Sequence, residues 1–129
     1  AARTQSADEK AGQQLFEKLN CSVCHVPAIT VEGAILRPYS DMLLHDMGDA
    51  LADTLDLPHA SARHWRTAPL HGIGIIDRLS NPAYLHDGRA ASLLEAIVWH
   101  GGEAKASRDA VLTLDAQQRH QLILFLQSL

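Results

Sequence analysis

Large rings are scarce in this 129-residue chain: Phe, Trp and Tyr together make up 5% of it, and only two cysteines occur. A core so short of aromatic bulk has room for a large apolar cofactor. There is no basic block, and the formal net charge is −4. That balance argues against nucleic acid and anionic membrane surfaces as partners and leaves basic protein partners open. No apolar run reaches the roughly 20 residues of a membrane span. Ala1 to Lys10 has neither the charged start nor the apolar stretch of a signal peptide, so a mature or trimmed chain is expected. Strand-like alternation, internal repeats and low-complexity linkers do not stand out either. With 47% hydrophobic and 20% charged residues, the chain is expected to form one domain spanning residues 1–129.

The two cysteines sit together in Cys21-Ser22-Val23-Cys24-His25. A disulfide between them would close a very short loop and constrain little of the unfolded chain. The spacing is that of c-type haem attachment. Two thiols add to the vinyl groups on one porphyrin edge, and the adjacent histidine lies beneath the iron and ligates it. The alternatives are a redox CxxC of the thioredoxin kind and half of a zinc site. Zinc would want two further soft or imidazole ligands at tight spacing, and there is no third cysteine. A thioredoxin-like motif belongs between strand and helix, whereas a helical pattern precedes this one. One covalent haem c is therefore the expected cofactor, with His25 as an iron ligand. The other ring nitrogen of His25 is expected to donate to a backbone carbonyl, and Pro27 offers one two residues on.

The flanking segments agree with this. Ser6 to Leu19 reads as a helix with Ala11, Leu15, Phe16 and Leu19 on one face. Gly12, one turn before Phe16, suits a close helix crossing. The partner is a last helix with Thr113 as its expected N-cap and an apolar face of Leu122, Ile123, Phe125, Leu126 and Leu129; Phe16 is expected against Phe125. A third helix starts at Ser92 with the capping-box pattern Ser92-Leu93-Leu94-Glu95 and ends where Gly101 and Gly102 follow His100. Between Val26 and Pro69 lie turn and short-helix signals, with short helices or turns expected at Asp41 to Leu51 and Leu57 to Trp65. Such a loop-rich stretch is unusual unless it wraps something. The expected fold class is all-α: a cytochrome c-like domain, terminal helices crossing, with the middle wrapped around one haem.

Four further segments carry a resemblance: Pro38-Tyr39-Ser40-Asp41-Met42-Leu43-Leu44-His45-Asp46-Met47-Gly48, Trp65-Arg66-Thr67-Ala68-Pro69-Leu70, Tyr84-Leu85-His86-Asp87-Gly88-Arg89, and Leu94 through Ala104. In this order they resemble the C-terminal haem domain of the di-haem oxidoreductases, relatives of bacterial di-haem cytochrome c peroxidases and of the tryptophylquinone-forming enzyme MauG. Those proteins carry two haem domains, and a second CxxCH is absent from this sequence. In them the N-terminal domain holds the open, peroxide-binding haem and the C-terminal domain relays electrons, so the resemblance implies the relay half.

The resemblance also bears on the iron's second face. In the similar domains the helix after the His-Asp-Gly motif ends in an iron-binding Met or Tyr, and His100 falls at that place. Met47 is the alternative, since a loop methionine is the usual distal ligand of small cytochromes c, and His45 is a third. The peroxidases' His-x-x-Gly element, laid on His45-Asp46-Met47-Gly48, puts an ordinary apolar residue at Met47, which favours His100. By the same likeness His86 braces the haem pocket, with Gly88 allowing a tight turn, and Arg66 with Thr67, in the segment that includes Pro69, holds a haem propionate. Trp65 and Trp99 are expected to pack. His59, His64, His71 and His120 carry no motif, and Asp49, Asp53 and Asp56 read as a solvated acidic face.

Three functions remain open. The first is a periplasmic electron-transfer module serving a redox protein or a missing N-terminal haem domain, since haem attachment of this type is made outside the cytoplasm. The second is a haem peroxidase with an open or exchangeable iron site, though no distal acid-base group is identifiable. The third is a CxxC protein without haem.

Overall fold

The structure, a computed structural model, describes residues 4–55 and 57–129. Asp56 of the acidic stretch and the first three residues of the Ala1 to Lys10 segment lie outside them. Helix α1 spans Ala7–Lys18. It begins at a reciprocal capping box: Ser6 Oγ accepts from the Glu9 amide at 3.2 Å, and Glu9 accepts from the Ser6 amide at 2.7 Å. Three further helices, α2 (Ile73–Ile76), α3 (Leu93–Val98) and α4 (Lys105–Leu112), lead to α5, Ala116–Gln127.

The N-cap of α5 is Asp115, not the expected Thr113. Asp115 accepts from the Gln118 amide at 2.8 Å and Gln118 accepts from the Asp115 amide at 3.1 Å, while the Thr113 hydroxyl donates to the Ala110 carbonyl at the end of α4. The cap at Ser92 is half of the expected box. Ser92 Oγ accepts from the Glu95 amide, but the Glu95 carboxylate reaches one residue further back, to the Ala91 amide.

Helices α1 and α5 cross at Gly12, as the sequence leads one to expect. A Cβ there would collide with the Gln121 carbonyl and lie 2.8 Å from Phe125 Cβ, so only glycine lets the backbones meet. One turn on, Phe16 and Phe125 pack edge to face at 5.3 Å between centroids, a pair worth roughly 0.5–1.5 kcal/mol beyond its buried area. Leu122, Leu126, Leu93 and Val111 complete the core around them. The remaining end of α5 is tied by Asp77, which accepts from the Tyr84 hydroxyl and the Gln127 amide, each at 2.6 Å.

The fold is mixed rather than all-α: 41% is helical and 13% strand, in two small antiparallel sheets. Strands β1 (Ile29–Val31) and β2 (Ala34–Leu36) form a hairpin pairing Ile29 with Leu36. Its two-residue turn, Glu32-Gly33, has φ of 49° and 82°, as a type I′ turn requires. Strands β3 (Leu44–Asp46) and β4 (His64–Arg66) pair Leu44 with Arg66. Three-residue strands are too short for alternation to show, and β3 finds a partner about twenty residues away. The segments expected as short helices or turns, Asp41 to Leu51 and Leu57 to Trp65, hold no α-helix: the first carries strand β3 and a 3-10 turn at Asp49–Leu51, and the second a tight turn where Leu57 bridges Ala60 before β4 begins. The middle of the chain is loop-rich as expected. Among the described residues no helix is long and apolar enough to cross a membrane.

Candidate haem-binding site

Cys21 to Val23 form a single 3-10 turn directly after α1, and Cys24 caps it. Burial pushes the Cys21 thiol up to about 11 and raises Cys24 as well, with the carboxylates of Asp41 and Glu103 adding to the latter. Redox CxxC pairs depend on a lowered thiol pKa, so the environment here is wrong for one. Cys24 Sγ, an Asp41 oxygen and a His45 nitrogen lie within 4.8 Å of one another. A structural zinc site needs four such donors, and both His45 nitrogens are already engaged by carboxylates.

His25 is fixed by its Nδ1–H, which donates to the Tyr39 carbonyl at 3.0 Å. The expected acceptor was Pro27. Tyr39 serves instead because the segment 39–41 folds back on the motif, with Ser40 N–H donating to Val26 O and Asp41 N–H to Cys24 O. Buried Ser40 secures this fold-back by donating to the Thr67 carbonyl at 2.7 Å. Burial lowers the His25 pKa to about 4, against the pull of the Tyr39 carbonyl.

The His100 ring lies 6.4 Å from that of His25 between centroids, tilted by 47°. Its Nδ1–H donates to the Ala96 carbonyl, one turn back in α3, at 2.8 Å, and burial lowers its pKa also. A carbonyl oxygen only accepts, so both imidazoles carry their proton on Nδ1 and both present Nε2 as a lone pair.

Met47 lies in a loop whose backbone abuts the residues after His100: a Cβ on Gly101 would lie 2.7 Å from the Met47 carbonyl, and one on Gly102 would collide with the Asp46 carbonyl. His45 sits between two carboxylates. Its Nε2 is 2.7 Å from Asp41 and its Nδ1 2.8 Å from Glu103, and these hydrogen bonds, to Glu103 first, raise its pKa. Glu103 also accepts from the Asp46 amide at 3.0 Å.

The other expected residues lie further out. Arg66 is exposed on β4 and donates to Met42 Sδ at 3.3 Å; Pro69 is exposed. His86 stacks flat on Trp65, 3.7 Å between centroids at 15°, and Gly88 has φ 73°. Trp65 donates to the Leu51 carbonyl, and Arg89 lies over the Trp99 ring at 4.8 Å. His64 bonds Ser61, while His59, His71 and His120 are exposed. Asp49 of the acidic stretch pairs with Arg63 at 3.1 Å. Sequence reasoning missed Tyr39, Asp41 and Glu103. Glu103 is 58 residues from His45, and only the fold joins them.

The whole chain, residues 1–129, matches the family described as di-haem oxidoreductase, putative peroxidase. The chain belongs to this family and has the redox role and haem association that the family carries. Comparison with curated proteins and with solved structures gives no match.

Proposed function

We propose that the chain is an electron-transfer domain holding one covalent haem c, joined to Cys21 and Cys24 and ligated by His25 and His100. The observation that carries this is the pair of imidazoles whose centroids lie 6.4 Å apart. Metal–imidazole bonds are about 2 Å long, so two rings ligating one ion from opposite sides stand at about the separation seen between His25 and His100. Their Nδ1 protons are both committed to carbonyls, so each ring is pre-set to ligate through Nε2. Met47 and His45 are the weaker candidates, the first because its loop meets the site through backbone, the second because both of its nitrogens are bonded to carboxylates.

The haem would supply a one-electron iron couple, and a second histidine in place of methionine would hold its potential low. The protein's part is to keep both faces of the iron closed, since an open position invites peroxide and diatomic gases. The chain carries a single CxxCH, so the second haem of a di-haem system would come from another domain or chain, and a redox protein is the expected partner. Attachment chemistry of this kind points to the periplasm.

A peroxidase reading is favoured by the family description, and it requires His100 to leave the iron. A pyridine-haemochrome spectrum with an intact mass tests the covalent haem. Carbon monoxide, cyanide and peroxide then test the ligands. Inertness and a low-spin spectrum without a methionine charge-transfer band are expected; prompt spectral change would favour the peroxidase, and the sulfur band would exclude His100.

A further inference from the structure

The side chains around His45 join parts of the chain that hold the two sides of the site. On one side, Asp41 belongs to the fold-back that fixes His25: its amide donates to Cys24 O, and Tyr39, two residues earlier, accepts from His25 Nδ1. On the other, Glu103 follows His100 by three residues in the 3-10 turn Gly102–Ala104. His45 bonds both carboxylates at once. The backbone follows the same route. Glu103 takes the Asp46 amide, and the glycines after His100 admit the carbonyls of Asp46 and Met47 at distances a Cβ would forbid. Asp46 is in turn anchored to β4's approach by Arg63, whose guanidinium contacts it at 3.0 Å. This seam lies outside the donor set of Cys21, Cys24, His25 and His100, and nothing in ligation itself calls for it.

We propose that His45 is a positioning residue: through Asp41 and Glu103 it latches the segment bearing His100 to the segment bearing His25, and so holds the iron closed to exogenous ligands. The inference rests on the assignment of His100 as the second iron ligand. A free α3 terminus ending in Trp99-His100-Gly101-Gly102 has two glycines with which to swing away, and the latch removes that freedom. Ion-assisted hydrogen bonds are the strong kind, and this residue makes two.

The test uses the haem-loaded protein and three variants. His45→Leu removes both bonds at similar volume; Glu103→Gln keeps an acceptor for the Asp46 amide but removes the charge opposite His45. Gln121→Ala, which cuts the Asp8–Gln121 bond at the helix crossing, controls for general loss of stability. Two quantities are read: the high-spin fraction of the oxidised protein, and the rate at which the reduced protein takes up carbon monoxide, which departure of His100 limits. The wild type and Gln121→Ala are expected to be low-spin and slow. His45→Leu and Glu103→Gln are expected to gain a high-spin fraction and to bind carbon monoxide about tenfold faster or more, on the usual scale of a charged hydrogen bond. Unchanged spectra and rates in Glu103→Gln, or in both variants, would overturn the latch while leaving the His100 assignment standing. A wild type that is already high-spin or fast would overturn the assignment and the latch together.

Discussion

The helical frame and the strand-and-loop half are built on opposite terms. The frame, α1 against α5, is specified locally: each helix carries its own capping box, and each has an apolar face that finds the other at Gly12. The half from Val26 to Leu70 has little core of its own. Its strands are three residues long, and Val31, Ile35, Leu36, Leu43 and Leu44 are all exposed. Leu51 is its one deeply buried apolar side chain, 2% exposed. What orders this half is polar: the Tyr39, Thr67 and Leu51 carbonyls, and the carboxylates of Asp41, Asp46 and Glu103. One half is held by burial, and the other by directed bonds around the place where the cofactor would sit.

The hardest blow to this contrast would come from Cys21→Ala with Cys24→Ala. Loss of the covalent haem is expected, read as the absence of its mass, and with it loss of amide-exchange protection in residues 39–47 well before that in α1 and α5. Uniform loss of protection would show that the two halves are one cooperative unit. Within the frame, Phe125→Ala, at a fully buried site, is expected to cost about 3–5 kcal/mol in denaturant unfolding. Removing the Asp115 cap with Asp115→Ala is expected to cost about 1 kcal/mol by the same measurement. Ile35→Ser on the exposed hairpin is expected to stay within about 0.5 kcal/mol of zero.

A pH series sharpens the polar side. His45 has a raised pKa, so its contribution is complete below the unfolded value and is lost as pH rises through the folded one. Asp41 and Glu103 have lowered values, Asp41 because the Leu43 amide and His45 together outweigh its burial, and Glu103 chiefly through His45. Their contributions are present above the unfolded carboxylate values and lost as pH falls through the folded ones. The Tm difference between wild type and His45→Leu is therefore expected to be largest between the unfolded carboxylate values and the unfolded histidine value, and to shrink as pH falls through the carboxylates' folded values or rises towards and through the raised His45 pKa.

The sequence discloses the frame and the motif because both are short-range. Ser6 with Glu9, the spacing Cys21-Ser22-Val23-Cys24-His25, and the apolar face ending in Phe125 are each readable within one or two turns. Asp115 was one such signal, passed over for Thr113, although Gln118 three residues on completes its box. The all-α expectation fails where partners are distant. Nothing in Leu44-His45-Asp46 names His64-Trp65-Arg66 as its mate, and three residues cannot show an alternating pattern. Glu32-Gly33 was the one local sign of strand, since two consecutive positive φ values suit a residue pair ending in glycine. At the site, His100 was marked by the family resemblance, falling where the similar domains end that helix in an iron-binding residue, whereas the carbonyls of Tyr39 and Ala96 carry no sequence signature at all, because every residue has one.

The crossing at Gly12 also ties together the two ends of the sequence. Asp8 and Gln121, bonded across it, stand 113 residues apart, so nearly the whole chain lies in the loop that this contact closes. The Gln121 carbonyl already occupies the space a Cβ at position 12 would need. The closure of the chain upon itself therefore hangs on a residue with no side chain.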